Sequence, residues 1–312
     1  MGDLMHALPA ITEAKSHMND ITFDWVVDKS FSSVPKWHPD VKNTIETNHR
    51  EWKFNLFSSK ARDEMRKVIN KIDDNEYDLI IDMQNNLKSA FLSFMCKSPV
   101  AGLDAKSARE YPAHLAYKNK SRVPKDMHAV ERQKHLLASA LGYKTNLANR
   151  DYGISKANFR KPKKYHFSKY AICVQNASWT TKQWPIESWK ELLRILEQRD
   201  LNLLFPSGNQ AEFERASEIC SISEKAHALE VLPLDEVAFL IDNSEFSLCS
   251  DTGLAHLSAV VSTPSLTLYG PTDTNLIGTY GKDQNHLVSP DSNISKISVH
   301  DVLTKLEHLN FI

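Results

Sequence analysis

Asp251, Thr252 and Gly253 stand together where an apolar run, Phe246 to Cys249, stops and a helical pattern begins. Leu254, Leu257, Ala259 and Val261 suit a helix lying on a sheet, and Pro264 ends it. Leu266 to Tyr269 reads as the next strand, closed by Gly270-Pro271. This spacing puts a carboxylate at the carboxyl end of a strand, where open α/β sheets bind ligands. The first turn of the following helix offers free backbone N–H groups, a common seat for phosphate. Because a carboxylate repels phosphate, Asp251 is better used on hydroxyls beside one. The combination suits a sugar joined to a diphosphate.

Other residues could complete such chemistry. Asp3 follows Gly2 just ahead of a helical pattern; it reads either as a helix cap or as a general base. Lys182 lies in the polar loop Ser178-Trp179-Thr180-Thr181-Lys182-Gln183-Trp184-Pro185. It is either a solvated loop charge, with Trp184 anchoring the loop, or a mobile point charge for a phosphate leaving group. Ser178 could add a hydroxyl. Glu212 follows Pro206-Ser207-Gly208 and is either a first-turn helix acid or an acceptor for ribose hydroxyls. His256, one turn beyond Gly253, points back at the same site or packs in the core. In the first half, Arg50, Lys53, Lys88, Lys106 and Arg109 adjoin strand ends. Each alone reads as a surface charge; together they could line a carboxylate- or phosphate-binding cleft. The thirteen histidines form no compact ligand set, so a metal site is unsupported. There is no G-x-G-x-x-G and no G-x-x-x-x-G-K-S/T, which argues against a nicotinamide enzyme and a P-loop ATPase.

The elements that must position these residues read as alternating strands and helices, an α/β chain with parallel sheets. In the first half the strands are Ile21 to Val27, Val41 to Thr47, Tyr77 to Met83 and Val100 to Gly102. The helices are Phe31 to Trp37, Leu56 to Ile72, Leu87 to Met95 and Ala129 to Leu141, the last closed by Gly142. Residues 145–168 lose periodicity and carry Arg160-Lys161-Pro162-Lys163-Lys164, the best linker. The alternation resumes at Tyr170 and runs to a final helix, Val299 to Leu309. We expect domains over 1–160 and 161–295, with residues 296–312 packing back on the first. An α/β domain normally opens with a strand, and none precedes the helix that starts near Leu4. A first strand is therefore expected upstream, pairing beside Ile21 to Val27 and Tyr77 to Met83, and its absence leaves strand edges uncovered.

Length and charge agree with two ordinary domains. The chain has 312 residues and a formal net charge of -1, which argues against a dedicated nucleic-acid binder. Cys96, Cys173, Cys220 and Cys249 form no C-x-x-C and read as reduced core thiols of a cytosolic protein. No apolar run reaches membrane-spanning length.

Several segments together resemble a known family. They are Met1-Gly2-Asp3, Asp82-Met83-Gln84-Asn85-Asn86-Leu87-Lys88-Ser89-Ala90 and Thr181-Lys182-Gln183-Trp184-Pro185. To these add Asp251-Thr252-Gly253-Leu254-Ala255-His256-Leu257 and Leu268-Tyr269-Gly270-Pro271-Thr272-Asp273. They look like the bacterial lipopolysaccharide heptosyltransferases of glycosyltransferase family 9, nearly end to end. The segment Leu276 to Lys282 and the Lys106 to Glu110 segment are similar to the heptosyltransferase I branch, which adds the first inner-core heptose.

The resemblance implies a GT-B arrangement, two Rossmann-like domains facing a cleft, with ADP-heptose as donor and Kdo-bearing lipid A as acceptor. It places the base on Asp3, phosphate contacts on Lys182 and Ser178, and the ribose carboxylate on Glu212. Heptose and diphosphate contacts fall on Asp251, Thr252, Gly253 and His256, and acceptor contacts on Arg50, Lys53 and Arg109. It implies an inverting reaction with no cofactor and no metal, in a monomer of the cytoplasm that touches the inner face of the inner membrane. Two departures stand out. The family usually has a strand and a Ser-containing loop ahead of the position of Met1. The loop Gln175-Asn176-Ala177-Ser178 also differs from the common His-Ala-Thr-Thr, losing a hydroxyl at Ala177. The other readings are heptosyltransferase II or another family 9 transferase, a nucleotide-sugar epimerase or reductase, and an inactive truncated remnant.

Overall fold

The computed structural model describes residues 1–49, 51–52 and 58–312. Packing divides the chain between Ser155 and Lys156 into two units. In the first unit the strands are β1 (Phe23–Asp28), β2 (Val41–Thr47), β3 (Ile80–Ile81), β4 (Val100–Leu103) and β5 (Asn119–Ser121). They form two parallel ladders, β1-β2 and β3-β4-β5. Phe23, Trp25, Ile81 and Met83 share one apolar cluster with Ala10, Ile11 and Ala14 of the helix Gly2–His17. Yet no ladder bond among the described residues joins β1 to β3. The expected strand over Tyr77 to Met83 shrinks to two residues.

The segment after β3 is a built turn. Buried Asp82 accepts from the Gln84 and Asn85 amides, both at 2.9 Å, and from the Tyr117 hydroxyl at 2.7 Å. Asn85 takes a left-handed φ of 52° and accepts from Leu103 N–H at 2.7 Å through its side chain. Asn86 then caps the helix Leu87–Phe94 reciprocally with Ser89. A Cβ at Gly102 would lie 2.4 Å from the Tyr117 ring, so only glycine lets that ring reach Asp82. Burial holds the Asp82 carboxyl above the usual carboxylate range, and its hydrogen bonds, led by that from Tyr117, offset part of the rise. Tyr117→Phe should therefore lower stability by about 1.5–3 kcal/mol, the range for a hydrogen bond to a charged group, as read by denaturant unfolding. An unchanged midpoint would mean that the Asp82 turn stands without it.

The long loop after the helix Ala129–Leu141 is fixed from inside. Lys134 and Glu13 are buried and lie 3.7 Å apart. Lys134 Nζ also donates to the carbonyls of Asn146 at 2.6 Å and Asn149 at 2.7 Å. Glu13 accepts from Thr145 and the Asn146 amide. A buried ion pair persists only with its remaining valences satisfied in this way.

The second unit holds one six-stranded parallel sheet. Its strands are β6 (Tyr170–Val174), β7 (Asn202–Ser207), β8 (Ala226–Val231), β9 (Ser247–Ser250), β10 (Ser265–Tyr269) and β11 (Gln284–Val288), in the order β11-β10-β9-β6-β7-β8. Every residue of β6, β9 and β10 is buried, as expected for parallel strands covered on both faces. Trp184, Trp189 and Phe205 stack edge to face in the core, with centroids 5.2 and 5.5 Å apart. The final helix, Val299–His308, places Val299, Val302 and Leu306 in this same core. Cys173, Cys220 and Cys249 are buried and unbridged.

Candidate functional site

In the second unit the chain steps from β6 outward through β7 to β8, then returns and steps the other way from β9 through β10 to β11. Adjacent β6 and β9 therefore flank the point where the strand order reverses, the place where such sheets bind ligands beyond their carboxyl ends. The loops that leave there carry the residues singled out from the sequence. Lys182 ends a short 3-10 turn, Thr180–Lys182, after β6. Asp251 follows β9. Lys182 Nζ lies 2.7 Å from Asp251 Oδ2, with side chains 24% and 7% exposed. The Thr272 hydroxyl, on the loop after β10, donates to the same oxygen.

The pairing answers the electrostatic objection to a carboxylate beside phosphate. Asp251 does not present a bare charge, because Lys182 neutralises it across the reversal point. Lys182 has three N–H donors, so donors beyond the ion pair remain for a ligand. Trp184, fully buried, anchors the Lys182 loop by donating from Nε1 to the Ile297 carbonyl at 2.9 Å. The sequence alone assigns Thr272 no role; the contact with Asp251 does.

Thr252 caps the helix Gly253–Val261 by position only, since its side chain makes no capping bond. Gly253 opens that helix, and His256 is buried one turn on. Ser178 is exposed on the β6 loop. Glu212 sits in the first turn of the helix Gln210–Cys220 after β7. Its carboxylate accepts from Gly208 N–H at 2.8 Å, from the Asn209 amide at 2.9 Å and from the Asn176 side chain. It thus ties the β6 loop to the β7 loop. A carboxylate has about four acceptor sites, so three donors leave capacity for a hydroxyl. The buried partner Asn176 is a site residue that sequence reading missed, because only strand order brings it to Glu212.

In the first unit, Asp3 lies in the first turn of the helix Gly2–His17. Its Oδ2 accepts from Arg109 Nη1 at 2.9 Å, with both side chains more than half exposed. The structure thus brings one candidate base and one candidate acceptor contact together. An exposed pair of this kind adds little stability, below about 1 kcal/mol. It does fix the direction of the Asp3 carboxylate. Glu110, next to Arg109, accepts from Leu87 N–H at 2.8 Å and so fixes the start of the helix Leu87–Phe94 against the Arg109 segment. Lys88 and Lys106 are exposed, one on that helix and one in the turn led by Asp104. Arg50 and Lys53 lie outside the described residues. Among the described residues no three His, Cys, Asp or Glu side chains gather as a metal ligand set. No described helix is long and apolar enough to cross a membrane.

Comparison with known proteins gives one consistent result. The sequence profile of glycosyltransferase family 9 (heptosyltransferase) matches residues 65–306. Lipopolysaccharide heptosyltransferase 1 of Pseudomonas aeruginosa is 37% identical over 290 residues, covering 93% of this chain and 81% of the relative. The solved structure of E. coli heptosyltransferase WaaC with ADP superposes with a TM-score of 0.92 at 34% identity, covering 99% of this chain and 97% of that one. WaaC with ADP-2-deoxy-2-fluoro heptose gives 0.89 at 33% identity, covering 99% and 96%. The fold is GT-B, as the resemblance implied. With a profile match over most of its length and a relative this similar, the chain belongs to glycosyltransferase family 9, the heptosyltransferases.

Proposed function

We propose that the protein transfers L-glycero-D-manno-heptose from ADP-heptose to a Kdo residue of Kdo2-lipid A, with inversion at the anomeric carbon. The observation that carries this reading is the Lys182–Asp251–Thr272 cluster at the strand-order reversal of the second sheet. Membership in the heptosyltransferases supports the sugar, and the solved relatives with ADP and a fluorinated ADP-heptose support the donor.

Each residue has a task in this reaction. Asp3 takes the proton from a Kdo hydroxyl as that oxygen attacks the anomeric carbon. Arg109 holds the Asp3 carboxylate through Oδ2 and adds a positive charge for the acidic acceptor sugar. Lys88 and Lys106 offer further positive charge to the same acceptor, as do Arg50 and Lys53. ADP leaves from the opposite face, which converts the β-linked donor into an α-linked product. Negative charge grows on the diphosphate as the bond breaks. Lys182, the Ser178 hydroxyl and the N–H groups that follow Thr252 and Gly253 stabilise it. Asp251 accepts heptose hydroxyls with the oxygen left over by Lys182 and Thr272, His256 backs the same turn, and Glu212 accepts from the adenosine ribose.

An acceptor panel tests the reading. Purified protein with ADP-heptose should extend Kdo2-lipid A and leave an acceptor that already carries heptose untouched. Transfer only to the heptose-bearing acceptor would assign the protein to the next step of the core instead. We also expect transfer to persist in EDTA, because Lys182 and the helix N–H groups supply the positive charge that a divalent ion supplies elsewhere. Loss of activity in EDTA, restored by Mg²⁺ with a water-soluble acceptor, would contradict this.

A further inference from the structure

Helix Leu87–Phe94 turns an apolar face outward. Leu87, Phe91, Phe94 and Met95 follow i, i+4, i+7 and i+8, one stripe of a helix, and all four are exposed. Its other side, at Ala90, packs on Ala113 and Tyr117 of the neighbouring segment. That segment, the 3-10 turn Tyr111–Ala116, adds Tyr111 at 69% and Leu115 at 71% exposure. Phe94 is 65% exposed. At roughly 150–250 Å² per large side chain, these six leave on the order of 500 Å² of apolar surface uncovered. That is at the upper end of what a soluble monomer tolerates without a use for it.

The sequence that carries this face is strongly basic. Residues 87–125 carry eight Lys and Arg against two acids, Asp104 and Glu110, in a chain whose net charge is -1. The stretch is therefore +6, and everything outside it sums to -7. Both acids are engaged by backbone: Glu110 by Leu87 N–H, and Asp104 by the amides of Lys106 at 3.1 Å and Ser107 at 2.8 Å. Lys88, Lys97, Lys118 and Lys120 flank the apolar stripe in sequence. Large apolar side chains beside an excess of Lys match a surface with acyl chains below and anionic headgroups above.

We propose that the outward face of Leu87–Phe94 and Tyr111–Ala116 docks on an anionic phospholipid bilayer. The proposal rests on the reading that the acceptor is a lipid. It adds where the protein meets that lipid's bilayer. The face is continuous with the candidate base, since Leu87 N–H binds Glu110 and the adjacent Arg109 holds Asp3. A sugar standing on a bilayer-embedded lipid would so be offered to Asp3 at the height of the headgroups.

The test is co-sedimentation of the full chain with vesicles of phosphatidylethanolamine and phosphatidylglycerol at 3:1, against phosphatidylcholine vesicles. The intact protein should partition onto the anionic vesicles and lose much of that binding at high salt. The double variant Phe94→Ser/Leu115→Ser should bind about tenfold less or weaker, while remaining folded by circular dichroism. Its transfer to a deacylated, water-soluble acceptor should be unchanged. No binding by the intact protein would overturn the proposal, as would equal binding by the variant. A concentration-dependent dimer that the variant abolishes, without vesicle binding, would also overturn it by showing a second copy on the face. Vesicle binding without transfer to any acceptor would sustain the docking surface and overturn the reading of the reaction.

Discussion

Replacing Asp3 by Ala should lower turnover by about 10²–10⁴-fold, the usual cost of a missing general base, while donor binding stays within a factor of about two. The expectation follows from position and chemistry together. Asp3 begins the first helix of the chain, is open to solvent, and is held by Arg109 at 2.9 Å rather than buried. An exposed, oriented carboxylate can receive an incoming hydroxyl; a structural cap has no need of Arg109. The donor contacts named above all lie in the second unit, so titration with ADP should show no change in the variant. Near-normal turnover in a folded Asp3→Ala protein would return Asp3 to the role of an ordinary first-turn acid. Arg109→Ala removes both the hold on Asp3 and a positive charge, and should lower kcat and raise the KM for the acidic acceptor together.

The second large effect is expected at Lys182. Lys182→Ala should weaken ADP-heptose binding and slow the chemical step, with roughly 3 kcal/mol lost from transition-state stabilisation. Two consequences combine. The departing diphosphate loses its mobile cation, and Asp251, only 7% exposed, loses the charge that balances it. An unbalanced carboxylate beside the phosphates then repels the donor. The double variant Lys182→Ala/Asp251→Asn should therefore recover part of the lost affinity without recovering rate. Calorimetry with ADP and single-turnover rates with ADP-heptose measure the two parts. Unchanged affinity and rate in Lys182→Ala would leave the ion pair as a loop fastening.

The candidate site residues rest on parts of the sequence that differ in legibility. Asp251-Thr252-Gly253 was readable because a strand end, a carboxylate and a helix start are contiguous in the chain. Lys182 was readable as a polar loop charge, either solvated or placed for a phosphate leaving group. Its partner depends on β6 lying beside β9, a strand order that no local pattern encodes. Thr272 and Asn176 escaped for the same reason: each meets its carboxylate, Asp251 or Glu212, across loops of different strands. The strands Asn119–Ser121 and Gln284–Val288 were missed because they are polar edge strands without a buried run.

The helix Leu87–Phe94 shows the limit of periodicity. Its apolar spacing predicted a helix packed behind a strand, and the helix is there. But Ala90 and Leu92 go inward while Leu87, Phe91 and Phe94 face out. Spacing defines a face; only the neighbours decide which face is covered. In contrast, the run Asp82 to Ser89 was noticed as a motif, and its physical content is the turn and reciprocal cap built by Asp82, Asn85, Asn86 and Ser89. Its first task here is to aim the helix that follows.

The most direct test of the central claim is a stoichiometric one. The protein is incubated with ADP-heptose and Kdo2-lipid A, ADP release is followed, and the product is examined by mass spectrometry and by NMR at the new anomeric centre. We expect one ADP for each acceptor that gains a single heptose, in the α configuration. ADP released without a heptosylated lipid, or a product in the β configuration, would contradict inverting transfer assisted by Asp3 and Lys182.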